Sequence, residues 1–215
     1  MSHATLRRYT KLAVALHALR AKVLTLLSPE RWEDKNDIAY LRCYQEQLGA
    51  RAVLALCFAD APEKYHHWKI YSPGMDGVCL EFEKEALLRQ AQLQGIRWGV
   101  VRYRELKEAK RVRPDVEQLP FMKRYPYEGE DELRLIYVDP AHDVKTKDMT
   151  INAACIQRIT LSPGLPDGLI GSVVATLREA LGRPGLPIHR TTLLDNMKWQ
   201  RLAQPQKGPV KQVLS

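Results

Sequence analysis

A cluster of charged side chains stands where a polar loop gives way to a strand-like run, within residues 125–138. Glu130, Asp131 and Glu132 supply three carboxylates at this junction, and Arg134 follows two residues later. Strand side chains alternate between two faces, so Glu132 and Arg134 are predicted to point the same way. A carboxylate at such a junction is held rigidly yet can face a cleft, which suits a catalytic or binding group. The alternative is a solvated acidic loop followed by a surface ion pair.

Two further groups of residues could bind a ligand. Arg8 and Thr10 lie in an extended run and share a face, and the planar guanidinium of arginine suits a phosphate. The alternative for this pair is a plain surface strand end. Trp68 follows two histidines and is predicted to be a pocket wall or a core anchor, with Tyr71 close behind it in the chain.

A polar loop at residues 28–37 precedes a predicted helix. Trp32, Asp34 and Asp37 are predicted to hold this loop by packing and by turn hydrogen bonds, which is a structural role. The helix is expected to begin at Ile38.

The composition is that of a globular protein. The chain has 215 residues, 45% of them hydrophobic, and a mean hydropathy of −0.35, which suits one domain. No apolar run reaches the ~18–20 residues of a membrane span, and no secretory signal is recognisable, so we expect a cytoplasmic protein without membrane contact. The four cysteines are widely spaced, which argues against disulfides and against a bound metal.

Positive charge dominates and is unevenly distributed. The formal net charge is +8, which permits contact with a polyanion. Residues 204–215 read as a disordered basic tail after a single domain at 1–203. Seven cations form what we call the basic stripe, which is predicted to contact nucleic acid: Arg97, Arg102, Arg104, Lys107, Lys110, Arg111 and Arg113.

The alternation of short apolar runs and turn signals predicts an α+β fold. The expected sheet is mixed or antiparallel, with about six or seven strands and flanking helices. Its best-defined strands are predicted at 52–58, 78–82, 98–103 and 133–138.

Several segments in order resemble a bacterial family catalogued as "domain of unknown function 2971". They are RRYT, LLSPERWEDKND, LALCFA, HHWKIYSPGMDGVCLEF, FMKRYPYEGEDELRLIY and RTTLLDNMKW, and they span about residues 6–200. The family's FNDPFD-like loop carries over only as Asp34 and Asp37, because its asparagine and proline are missing here. Its late ExEWRL-like motif carries over as Glu132 and Arg134.

A looser similarity links the order of these parts to ADP-ribosyltransferases, particularly DNA-targeting toxins. It implies an ADP-ribosyltransferase-like fold, NAD as co-substrate and a setting in a toxin or phage-defence system. By this similarity Glu132 is catalytic, Arg8, Thr10 and Arg134 bind the cofactor, and Trp68, Tyr71 or Ser72 walls the nicotinamide pocket. The chemistry is consistent, because a pyrophosphate suits arginine and an oxocarbenium-like state is stabilised by a carboxylate.

The competing class of function is a non-enzymatic module that binds nucleic acid or a partner, in a defence or mobile-element locus. Its support is the net charge and the basic stripe. The two classes differ in one geometric expectation: an enzyme requires Arg8, Glu132 and an aromatic side chain to meet at one cleft.

Overall fold

The computed structural model describes residues 4–203, so the predicted tail at 204–215 lies outside the described residues. Strands account for eleven segments of this range: β1 (Thr5–Lys11), β2 (Val23–Leu27), β3 (Ala52–Ala59), β4 (Gly77–Glu83), β5 (Arg97–Val100), β6 (Arg102–Arg104), β7 (Met122–Arg124), β8 (Glu132–Asp139), β9 (Thr146–Thr150), β10 (Ile156–Leu161) and β11 (Ile188–Arg190). Helices account for seven: α1 (Leu12–Ala21), α2 (Lys35–Gln47), α3 (Tyr65–Tyr71), α4 (Lys84–Leu93), α5 (Leu106–Arg111), α6 (Asp167–Leu181) and α7 (Met197–Leu202).

A nine-stranded sheet organises the domain, and β6 and β7 form a separate parallel pair. The sheet is mixed, since β10 and β11 run parallel while its other neighbours are antiparallel. Its main core holds the apolar side chains of β1, β3, β4 and β8 together with those of the flanking helices. The predicted α+β class is confirmed, with more strands than the six or seven expected.

The two edges of β3 are occupied differently. One edge pairs with β8 along its whole length, from Ala52 opposite Asp139 to Ala59 opposite Glu132. The other edge meets β1 only at Ala59 and β2 only at Ala55. Because β1 and β2 diverge from β3 between these two points, the sheet splits beside Cys57.

The four predicted strands are present, with one correction. The strand predicted at 98–103 is two strands that belong to different sheets, β5 and β6. The chain leaves the main sheet at Val101, whose N–H donates to the Glu132 carbonyl at 2.8 Å. Because β8 begins at Glu132, it has no residue left to pair with the chain after Val101. The next residues, Arg102–Arg104, pair with β7 instead.

The loop predicted at 28–37 ends earlier than expected. Helix α2 begins at Lys35, and Asp34 caps it by accepting a hydrogen bond from the backbone N–H of Asn36 at 3.0 Å. Asp37 therefore lies in the first turn of a helix rather than in the loop. No helix within residues 4–203 is long and apolar enough to cross a membrane.

Candidate active site

A cleft opens where the sheet splits, and we call it the seam cleft. It lies between β1, β3, the end of α3 and the start of β8. Its walls include Arg8, Cys57, Tyr71, Glu130 and Glu132. Arg8, Glu132 and an aromatic side chain, three groups singled out from the sequence, therefore line one cavity.

The side chain of Arg8 spans the gap between β1 and β3. Its Nη1 donates to the Cys57 carbonyl at 2.9 Å, which satisfies a backbone group of β3 where β1 has diverged. The residue is half-buried, and burial lowers the pKa of its guanidinium, although nearby Cys57 and Glu132 act in the opposite direction. A partly desolvated cation at a cleft wall is well placed to bind an anionic ligand.

Glu132 is held by Arg134, its same-face neighbour on β8. Arg134 Nε and Nη2 donate to the two carboxylate oxygens at 2.7 Å and 3.1 Å. The other guanidinium donors reach both oxygens of Asp37, at 2.8 Å and 2.7 Å, and the Pro120 carbonyl at 2.9 Å. Trp32 covers the guanidinium face, with its ring centroid 5.1 Å away. The loop residues Trp32 and Asp37 thus meet the late carboxylate through Arg134.

The charges of this network set the protonation of Glu132. Burial alone would raise the pKa of this carboxyl group, but the charge and hydrogen bonds of Arg134, helped by Lys123, lower it to about 2. Glu132 is therefore an ionised carboxylate at neutral pH. It is only 4% exposed and still lines the cleft.

Glu130 is a second carboxylate in the seam cleft with the opposite perturbation. Burial raises its pKa, and Lys123, which lies 2.6 Å from its carboxylate oxygen, offsets only part of the effect. Two neighbouring carboxylates whose pKa values are pushed apart can take different roles in one reaction.

Helix α3 anchors the loop that carries Glu130. Nε2 of His66 and Nε2 of His67 lie 2.8 Å and 3.1 Å from the Gly129 carbonyl oxygen, which can only accept. Lys64, just before the helix, forms an ion pair with Asp131. The adjacent histidines therefore position the acidic loop.

Tyr71 is the aromatic wall of the seam cleft. It is 38% exposed at the end of α3, and burial, followed by the charge of Glu130, raises the pKa of its hydroxyl. Trp68 is instead a core anchor, 3% exposed, with its indole N–H donating to Glu63 at 2.8 Å. Thr10 is also buried and lies outside the cleft lining, where its carbonyl accepts from the Ser72 hydroxyl.

The prediction that Arg134 binds the cofactor is corrected by its position in the structure. Its side chain has no exposed surface, and its donors are directed to Glu132, Asp37 and Pro120. The geometry makes it a positioning residue for Glu132. Asp34 keeps the structural role expected of it, as the cap of α2.

Two members of the charged network were missed in the sequence. Glu130 was placed only in an acidic loop, and Lys123 was not named among the site residues. Their 2.6 Å contact joins the loop to β7, and a lysine seven residues before a glutamate gives no local signal for it. Within residues 4–203, no group of three His, Cys, Asp or Glu side chains is arranged to hold a metal ion.

Comparison with known proteins gives matches only among solved structures. No family model and no curated protein matches the chain, so the resemblance to "domain of unknown function 2971" stays a prediction. The chain is similar to DarT of Thermus sp. 2.9 in complex with ADP-ribosylated ssDNA, at 15% identity and a TM-score of 0.43, over 89% of this chain and 98% of that one. It is also similar to the same protein in complex with NAD⁺, at 13% identity and a TM-score of 0.42, over 87% of this chain and 95% of that one.

Proposed function

We propose that this protein is an ADP-ribosyltransferase that uses NAD as its donor and binds it in the seam cleft. The observation that carries the proposal is an ionised carboxylate, Glu132, fixed by Arg134 in a cleft that also presents Arg8 and Tyr71. The order of the sequence motifs gives the same assignment independently of this geometry.

The lining of the cleft indicates which part of NAD it takes. The ring of Tyr71 beside the carboxylate of Glu132 suits the nicotinamide ring and its ribose, where charge develops in the reaction. In the proposed pose the nicotinamide packs on Tyr71 and the pyrophosphate reaches Arg8 at the mouth. The adenosine half then lies outside the cleft.

The reaction breaks the bond between the nicotinamide nitrogen and C1′ of its ribose. The bonding electrons leave with nicotinamide, and positive charge develops on the ribose, where the Glu132 carboxylate stabilises it. An acceptor nucleophile then forms a bond to C1′ and loses a proton. Glu130 is the proposed proton acceptor, because its raised pKa brings it nearer to the operating pH than an ordinary carboxylate.

A nicotinamide-release assay with NAD tests the proposal. The wild type is expected to release nicotinamide, and Arg8→Gln is expected to raise KM for NAD about tenfold or more by removing a charge-assisted contact. Lys11→Gln, on the same strand and outside the cleft lining, is the matched control and should behave as wild type. Absence of both nicotinamide release and an NAD-induced rise in Tm would overturn the proposal.

A second candidate function, nucleic-acid binding, is favoured by the placement of the basic stripe. Six of its seven cations are exposed, and only Arg104 is half-buried. They lie on β5, β6, α5 and the segment that follows α5. Arg97 and Lys107 already pair with Glu117 and Glu105, so the remaining cations would carry most of the binding. This function is compatible with the first, since a bound strand would then be the acceptor.

A further inference from the structure

A second cavity is lined by Asp37 and Lys123, two members of the charged network around Glu132, and shares no lining residue with the seam cleft. It lies between the start of α2, helix α5 and strand β7. Tyr40, Leu106, Ala109 and Met122 give it apolar walls. These walls would accept a flat, largely apolar group.

Two of the cationic side chains that line this cavity have no carboxylate partner. Asp37 and Lys123 also line it, but Asp37 is paired with Arg134 and Lys123 with Glu130. Arg104 and Arg124, which lie opposite each other in the β6–β7 pair, line it too, and neither guanidinium group has a hydrogen bond or ion pair within residues 4–203. Two unpaired guanidinium groups at one rim suit a phosphate.

Asp34 provides a hydrogen-bond acceptor in the same cavity. Its Oδ1 accepts from the backbone and side-chain nitrogens of Asn36, both at 3.0 Å. Its Oδ2 is buried and has no hydrogen-bond partner within residues 4–203. A buried acceptor without a donor costs free energy, so a ligand that supplies an N–H there would be favoured.

We propose that this second cavity binds a nucleotide whose base carries an exocyclic amino group. The base packs on Tyr40 and Met122, its amino group donates to Asp34 Oδ2, and its phosphate binds Arg104 and Arg124. The nucleotide is either free or one unit of a single strand, because both present the same chemistry. This site is separate from the proposed NAD cleft and does not depend on transferase activity.

Calorimetric titration of the full chain with AMP, CMP and UMP, in the absence of NAD, tests the proposal. AMP and CMP are expected to bind, and UMP about tenfold more weakly, because uracil lacks the amino group. Titration with a short oligo(dA) strand separates the two sources: tighter binding than AMP assigns the site to strands, and equal or weaker binding assigns it to free nucleotides. No binding of AMP, CMP or the strand up to millimolar concentration would overturn the proposal.

Variants locate the bound nucleotide. Asp34→Asn keeps an oxygen that can cap α2 but replaces the other oxygen by a donor, so it should weaken AMP binding about tenfold and leave Tm nearly unchanged. Arg124→Gln, at an exposed position, should have a similar effect through the phosphate. Arg20→Gln on α1 is the charge-matched control. AMP binding that is lost in Arg8→Gln but unaffected by Asp34→Asn and Arg124→Gln would place the nucleotide in the seam cleft and overturn the proposal.

Discussion

Arg134 donates hydrogen bonds to Glu132 and Asp37 at the same time, although Asp37 lies 97 residues earlier in the chain. Its side chain has no exposed surface, and neither does that of Asp37. One guanidinium thus joins the first turn of α2 to the start of β8 and fixes the carboxylate that faces the seam cleft. The candidate site depends on this long-range contact.

Loss of this contact should destabilise the fold strongly. Asp37→Asn removes one partner of a buried ion pair and should lower the free energy of unfolding by about 3–5 kcal/mol. Urea unfolding monitored by fluorescence measures the change. Glu30→Gln, which removes an exposed ion pair to Lys145, should cost no more than about 1 kcal/mol. Equal effects of the two substitutions would show that the buried network does not support the fold.

Acid should remove the contribution of Glu132 to stability. The pKa of Glu132 is lower in the folded chain, about 2, than the ordinary 4.5, so its ionised form stabilises the fold above about pH 4.5. As the pH falls from 4.5 toward 2, about 3 kcal/mol of this contribution should disappear. The measurement is the difference in unfolding free energy between wild type and Glu132→Gln at each pH, which removes the contribution of groups that do not interact with Glu132. A difference that stays constant over this pH range would contradict the assigned pKa.

The ring of Tyr71, rather than its hydroxyl, should bind NAD. Tyr71→Ala removes the aromatic wall of the cleft and should weaken NAD binding by about 1–3 kcal/mol, the usual contribution of stacking between a base and an aromatic ring. Tyr71→Phe keeps the ring and should bind NAD nearly as well as wild type. Calorimetry measures both affinities. Equal losses in the two variants would assign the contribution to the hydroxyl, and no loss in either would remove Tyr71 from the site.

The basic stripe should make binding of single strands sensitive to salt. Replacing Lys110, Arg111 and Arg113 together by glutamine should reduce the slope of log K against log salt by about 2, since each phosphate contact on a single strand contributes about 0.7. Fluorescence anisotropy of a labelled oligonucleotide measures the slope. A triple variant at Arg20, Lys22 and Arg42, exposed cations of α1, its C-terminal cap and α2, serves as the charge-matched control. The same slope in both triple variants would show that the stripe is not the binding surface.

Local pattern predicted some of the site and missed the rest for a physical reason. The run from Leu133 to Val138 indicated β8, and its period of two placed Glu132 and Arg134 on one face, where they bond. The contact of Arg134 with Asp37 connects distant segments, and no local periodicity reports it. The early start of α2 was signalled by Asp34, a good cap, but the polar residues after it resembled a loop.

The seam cleft itself could not be derived from any single segment. It exists because β1 and β2 meet one edge of β3 at different residues, Ala59 and Ala55, and this pairing involves segments that are far apart in the sequence. The sequence left Trp68, Tyr71 and Ser72 open as candidates for the aromatic or hydroxyl wall. The direction of each side chain from α3 and its end separates them, since Tyr71 lines the cleft while Trp68 and Ser72 are buried elsewhere.

The most direct test of the central claim compares two buried glutamates that are each 4% exposed and each paired with arginine. Glu132 lines the seam cleft, whereas Glu81 lies on β4 outside its lining. Nicotinamide release from NAD should fall about 10²-fold or more in Glu132→Gln, which should still show an NAD-induced rise in Tm, and should be retained in Glu81→Gln. Equal loss of release in both folded variants, or no release and no NAD-induced rise in the wild type, would contradict the account.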